Sequence, residues 1–170
     1  MMTTTTTPSL ESIRAFRAKP EALTDPSSLK MDDALSLPDW SDDDWRLFLK
    51  HTELLAIPAG ESLVHRGDAD SNLYFVVQGK FEVSRIQSDG ISMGPLSRIK
   101  EGSVIGEQAF FDGGPRSANV WSIEPSVVLR MSRQQFDKME SSRPKLGRDL
   151  IFSLGRILAI RLRHTTARVS

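Results

Sequence analysis

The 170-residue chain contains no cysteine. Disulfides, thiol nucleophiles and zinc sites with thiolate ligands are therefore excluded. Histidine is scarce, and His51, His65 and His164 are widely scattered. A metal-dependent dioxygenase or isomerase needs about three clustered imidazole and carboxylate ligands. No nucleophile stands beside an evident base, so the chain reads as non-enzymatic, without catalytic residues, metal or cofactor. Net charge is absent too, with 22 basic residues against 22 acidic ones. A general nucleic-acid binder would normally show a basic excess. No run approaches the roughly eighteen apolar residues of a membrane helix. The start, Met1-Met2 and five threonines before Pro8, lacks the basic and apolar blocks of a secretory signal. A cytoplasmic location is the expectation. With 39% hydrophobic and 26% charged residues, the composition is that of an ordinary soluble domain with flanking sequence.

Residues 1–35 read as a partly flexible N-terminal extension. Ser9 to Ala18 can form a short helix with Ile13 and Phe16 on one side, and Pro20 and Pro26 stop anything longer. The segment is either a tail or a docking piece, with the tail slightly favoured. From Asp32 to Glu53 the chain is acidic. Ser41 and Asp44 form a capping box before Trp45, Leu47, Phe48 and Leu49. Asp42, Asp43 and Asp44 then lie where the helix dipole favours negative charge, which explains them without a metal.

From Thr52 to Met131, strand-like pieces alternate with turn signals: Pro58-Ala59-Gly60, Gly67-Asp68, Gln78-Gly79, Asp89-Gly90, Gly94-Pro95 and Glu101-Gly102. Leu73 to Val77 is continuously apolar and reads as a buried strand. Phe81, Val83 and Ile86 suggest the next. Val120–Ile123 and Val127–Met131 are read as a last pair, turned at Glu124-Pro125. Short strands at near-regular spacing predict a sandwich or barrel. Arg66-Gly67-Asp68 spells an adhesion tripeptide but reads as a turn. Beyond the strands, Ser132 caps a short helix through Met139, and Pro144 opens a second one running to about His164. Leu146, Leu150, Leu154, Ile157 or Leu158, and Leu162 form its expected apolar stripe. This last segment is rich in arginine. A membrane-surface role ranks below packing on the strands or pairing with a second copy. Gly155 either weakens the helix or admits a close partner.

The stretch Ile105 to Val120 carries the chemistry. Gly106 can adopt backbone angles closed to other residues. Glu107 to Phe111 is long enough for about one helical turn, whose first amides have no intrahelical partner. Asp112-Gly113-Gly114-Pro115 reverses the chain, so Arg116 returns a guanidinium able to grip a phosphate with paired hydrogen bonds. Ser117 adds a hydroxyl, Ala118 leaves room, and Glu107 can accept from a sugar hydroxyl. A phosphate site and a ribose site so close together suggest a nucleotide. The alternative is a strand corner in which Arg116 merely pairs with Glu107.

Ile105-Gly106-Glu107-Gln108-Ala109-Phe110 followed by Pro115-Arg116-Ser117-Ala118-Asn119-Val120 resembles the phosphate-binding cassette of the cyclic-nucleotide-binding domain family. Ile57 to Glu61, Arg66 to Asp68 and Leu73 to Gly79 resemble its other landmarks, and the likeness runs from about Ser36 to Thr165. Ile105, Gln108 and Asn119 depart from the common pattern without removing a ligand group. The resemblance implies a mainly β fold: a double-stranded β-helix, or jelly-roll, barrel of about eight strands with N- and C-terminal helices. It divides the chain into the extension, a nucleotide-binding core over 36–131, and C-terminal helices over 132–170. It implies a ligand, cyclic AMP or cyclic GMP, held by Gly106, Glu107, Gln108, Ala109, Arg116, Ser117 and Ala118. Ile157, Leu158 and Arg161 are lid candidates on a last helix that folds over the base or mediates a homodimer. A regulatory module signalling through that helix to a protein effector follows. A helix-turn-helix after Ser170 is not expected. The competing expectation is a dimerisation or interaction domain with a degenerate pocket.

Overall fold

Strand β3, Leu73–Gln78, sets the layering. Antiparallel strands usually bury alternate residues, yet its first four are all buried. A computed structural model describes residues 8–17, 33–84 and 97–167, and explains the run. Leu73 and Phe75 point into a core shared with helices, whereas Tyr74 and Val76 point into a second core between two sheets.

The strands in chain order are β1 Glu53–Ile57, β2 Ser62–Val64, β3, β4 Lys80–Ser84, β5 Ser97–Lys100, β6 Val104–Ile105, β7 Asn119–Ser122 and β8 Ser126–Met131. They make two four-stranded antiparallel sheets, in the orders β1-β8-β3-β6 and β2-β7-β4-β5. This is the jelly-roll fold expected from the sequence, with one correction: the two sheets face each other but do not close into a barrel. The turn at Glu124-Pro125 does not make a hairpin either. It carries the chain from β7 in one sheet to β8 in the other. Ile86, Asp89-Gly90 and Gly94-Pro95 lie outside the described residues.

The helices cover one face of the first sheet. They are a 3-10 turn Leu10–Ile13, α1 Arg14–Arg17, α2 Asp42–Lys50, a cassette helix α3 Glu107–Asp112, α4 Arg133–Ser142 and α5 Pro144–Ala167. Residues 10–17 are packed on the core, because Ile13 and Phe16 are buried and the Phe16 ring meets Trp45 and Phe75. Ser41 caps α2 in the expected box with Asp44, whose carboxylate also takes Arg143 at 2.5 Å. Ser132 caps α4 in a second box with Gln135. Helix α5 buries Leu146, Leu150, Ser153, Leu154, Ile157 and Ile160. Leu162 leaves the expected stripe: it is 68% exposed, since five residues beyond Ile157 is about 140° further round the helix.

Candidate cyclic-nucleotide site

Strand β6 ends with Ile105 opposite Tyr74 of β3, which brings the next residue, Gly106, against Asn72. Gly106 adopts a left-handed φ of +96° and caps α3. A side chain is forbidden there twice over, by that angle and because a Cβ would run into the Arg116 guanidinium and the Asn72 carbonyl oxygen. The first amide of α3 to close a helical bond is that of Phe110, onto the Gly106 carbonyl at 3.1 Å. The amides of Glu107, Gln108 and Ala109 precede it and have no intrahelical acceptor. Gly113, at φ +66°, stops the helix by donating to Ala109. The Gly114 amide donates to the Asp112 carboxylate at 2.8 Å, completing the reversal. The Arg116 backbone then pairs with the turn at Gly67 and Asp68, through two 2.9 Å hydrogen bonds.

Arg116 is returned toward α3 as the spacing requires, but it is 4% exposed and caged. Its Nε donates to Asp70 Oδ2 at 3.0 Å, and its Nη2 donates to Asp70 Oδ1 and to the Asn72 carbonyl at 2.8 Å. Its Nη1 donates to the Gly106 carbonyl at 3.3 Å. These four bonds leave one of the five guanidinium hydrogens for another acceptor. Burial pushes the Asp70 carboxyl up. The Arg116 hydrogen bond, the Asn72 amide and the Arg116 charge outweigh that, and hold it below the ordinary carboxylate value. Burial, and then the charge of Asp70, raises the Tyr74 phenol beneath the guanidinium.

Glu107 is 4% exposed and pairs not with Arg116 but with Arg161 of α5. Arg161 Nη1 donates to Glu107 Oε1 at 2.6 Å, Nε to Asp33 Oδ2 at 2.9 Å, and Nη2 to the Val104 carbonyl at 2.9 Å. Burial opposes the charge of Arg161, but the two carboxylates win and its pKa is raised. The other oxygen of Glu107 has no hydrogen bond among the described residues. The strand-corner alternative, Arg116 on Glu107, is therefore not the arrangement found.

The Ser117 hydroxyl donates to Gln108 Oε1 at 2.6 Å, and both residues are exposed at the cassette surface. Ala118 is half-buried. Of the three lid candidates, Ile157 is a fully buried core residue, Leu158 is half-buried and Arg161 reaches the cassette carboxylate. Asp70, Asn72 and Asp33 are site residues that sequence reasoning missed. Asp70 is 46 residues from Arg116, and Asp33 is 128 from Arg161, so no local pattern announces either pair. Among the described residues no cluster of His, Asp or Glu is arranged to hold a metal, and no helix is long and apolar enough to cross a membrane.

Residues 54–143, just over half the chain, match the family described as the cyclic nucleotide-binding domain. Among curated relatives, the cAMP-activated global transcriptional regulator CRP of Pasteurella multocida is 29% identical over 124 residues, covering 72% of this chain and 57% of that protein. The Pycsar effector protein XpPycTIR of Xanthomonas perforans is 31% identical over 117 residues, covering 68% of this chain and 37% of that one. The chain thus spans about half or less of the length of these relatives. A solved cyclic nucleotide-binding domain from Methylobacillus flagellatus superposes with a TM-score of 0.72 at 25% identity, over 79% of this chain and 76% of that structure.

Proposed function

The chain belongs to the cyclic nucleotide-binding domain family, and from that premise we propose that it is a regulatory module that binds cyclic AMP or cyclic GMP. The phosphate lies on the amides of Glu107, Gln108 and Ala109 and takes the remaining Arg116 hydrogen. The ribose 2′-hydroxyl donates to Glu107, and Ser117 and Ala118 line the same turn. One observation carries this reading: Gly106 lets the Arg116 guanidinium pack against the start of α3, so a fixed cation stands beside amides that have no intrahelical acceptor. In this reading the module is a binder and not a catalyst, and it uses no cofactor. Its output passes through helix movement to a protein effector. Phe110 of α3 packs on Phe136 of α4 with ring centroids 5.3 Å apart, and Arg133 donates to the Phe110 carbonyl at 3.3 Å. A shift of α3 toward phosphate therefore pulls on the base of α5.

Titration calorimetry with both nucleotides tests the reading, backed by thermal melting. A ligand of the native state must raise the melting temperature. Saturating nucleotide that produces neither heat nor a shift would refute it and favour the interaction domain with a degenerate pocket.

A homodimer through α5 is supported by a separate observation. Phe152 is 82% and Leu162 68% exposed, and with exposed Gly155 and Ala159 they recur at intervals of three, four and three residues. Among the described residues, a Cβ at Gly155 would meet nothing within 4 Å beyond its own helical turn, so a partner helix can come close. Phe152→Glu should convert the dimer to monomer in analytical ultracentrifugation. A wild-type chain that is monomeric at high concentration would end this idea.

A further inference from the structure

Asp33 belongs to no motif, yet it faces the cassette across Arg161. Its Oδ2 accepts from Arg161 Nε at 2.9 Å while Glu107 accepts from Nη1 at 2.6 Å. Asp33 is not a stray carboxylate on a loose end, for the segment behind it is tied to the fold at several points. The Leu35 amide donates to the Gly102 carbonyl at 2.8 Å, and the Ser36 amide donates to Ser153 Oγ of α5 at 3.0 Å. Arg156 of α5 donates to the Ala34 carbonyl at 2.7 Å. Leu35 and Leu37 are buried in the helical core. The segment is a strap laid across the last helix, with its carboxylate at the site.

Charge gives the strap a consequence. Around Gly106 and Glu107 stand two cations, Arg116 and Arg161, and three carboxylates, Asp70, Glu107 and Asp33. Among the described residues, these five groups sum to an excess of one negative charge. A cyclic phosphodiester adds another, in a place where burial strengthens repulsion. Asp70 is held by two guanidinium bonds and the Asn72 amide, and Glu107 is buried. Asp33 has a single hydrogen bond among the described residues, from Arg161, and unlike Glu107 its side chain reaches solvent, so it is the carboxylate with the least holding it.

We propose that Asp33 is a built-in antagonist of anion binding: it holds Arg161 in the free protein, lowers affinity for the nucleotide, and leaves when the nucleotide arrives. This rests on the nucleotide-binding reading above and adds to it a regulatory input from the N-terminal strap. Coupling is reciprocal, so whatever the strap's departure does for the nucleotide, the nucleotide does for the strap. A partner that drew the strap away would sensitise the site.

The test is Asp33→Asn in the full chain, titrated with cyclic AMP and cyclic GMP beside wild type. Asparagine keeps an acceptor for Arg161 and removes only the charge. Binding should tighten about fivefold or more, while the charge-preserving Asp33→Glu stays at the wild-type value. Asp33→Ser, neutral and small, provides a second reading if the first variant folds poorly. Equal or weaker binding by folded neutral variants overturns the antagonist, since a merely structural Asp33 predicts a loss. Wild-type protein that binds neither nucleotide overturns instead the reading on which the proposal rests, so the two failures are told apart.

Discussion

Arg116 and Arg161 are the same side chain held in two different ways. Arg116 is fixed by the sheets: its backbone is pinned to the turn at Gly67 and Asp68, and its guanidinium is gripped by Asp70, Asn72 and Gly106. Arg161 rides on α5 and is fixed by two carboxylates from elements distant in sequence, Glu107 and Asp33. The first cage combines two backbone pins and two backbone carbonyls with the Asp70 carboxylate, all in turns that flank the strands. The second is mainly a meeting of side chains, with one bond to the Val104 carbonyl, and its arginine is carried by a single helix. A preorganised cation gives recognition, and a side-chain meeting with alternative partners gives a switch. Under the proposed function, the first cage would hold the ligand and the second would report it.

Arg116→Ala attacks the rigid cage and should have the largest effect. Hydrogen bonds to charged groups contribute about 1.5–3 kcal/mol each, so nucleotide affinity falls about tenfold or more. The melting temperature falls too, because Asp70 and two carbonyls lose their donor. Calorimetric titration and melting read both, and unchanged affinity would remove Arg116 from the recognition role. Glu107→Gln attacks the side-chain cage, with a narrower effect. Wild type should prefer a ribonucleotide over its 2′-deoxy analogue by about tenfold, the equivalent of one good hydrogen bond. The variant should lose most of that preference. Equal discrimination by both proteins would move the ribose away from Glu107. Reading the pair as a double-mutant cycle, with the hydroxyl as one partner, keeps the charge change out of the answer.

The two cages were unequally legible in the sequence. The cassette was, because its demands are local: a glycine where the chain must turn left-handed, a one-turn helix, a reversal, then Arg116. The capping box of α2, the cap of α4 at Ser132, the start of α5 at Pro144 and the apolar run of β3 were also legible, since each is set by residues a few positions apart; the Gln135 half of the second box was not read. The partners of the two arginines were not. Asp70 and Asp33 come to their places through sheet pairing and the path of the strap, which periodicity does not encode. The same limit hid the change of sheet at Glu124-Pro125, where a turn looks alike whether or not its flanking strands pair. It also placed Leu162 on the wrong face: the stripe beginning at Leu146 continues through Ser153 and Ile160, and a serine does not advertise burial.

Acid gives the finest separation of the cages. The Asp70 carboxyl is held below its ordinary value of 3.8 in the folded protein. Between the folded and unfolded values the unfolded chain binds more protons, so stability rises with pH there. The contribution of Asp70 is fully present above the ordinary value and disappears as pH falls through the lower, folded one. The side chain of Asp70 is 36% exposed, and solvent-screened pairs contribute about 1 kcal/mol or less. The expected signature is therefore a melting temperature that drops on acidification below about pH 4, with Asp70→Asn removing about 2–4 °C of that drop. Asp44, whose folded value is lowered against the cost of burial by Ser41 and Arg143, adds its own acid response far from the cassette. Melting curves of wild type, Asp70→Asn and Asp44→Asn from pH 6 to pH 3 apportion the loss. If the acid response of Asp70→Asn matched wild type throughout, the Asp70 bond would not be what keeps Arg116 in place, and the rigid cage would reduce to its backbone carbonyls.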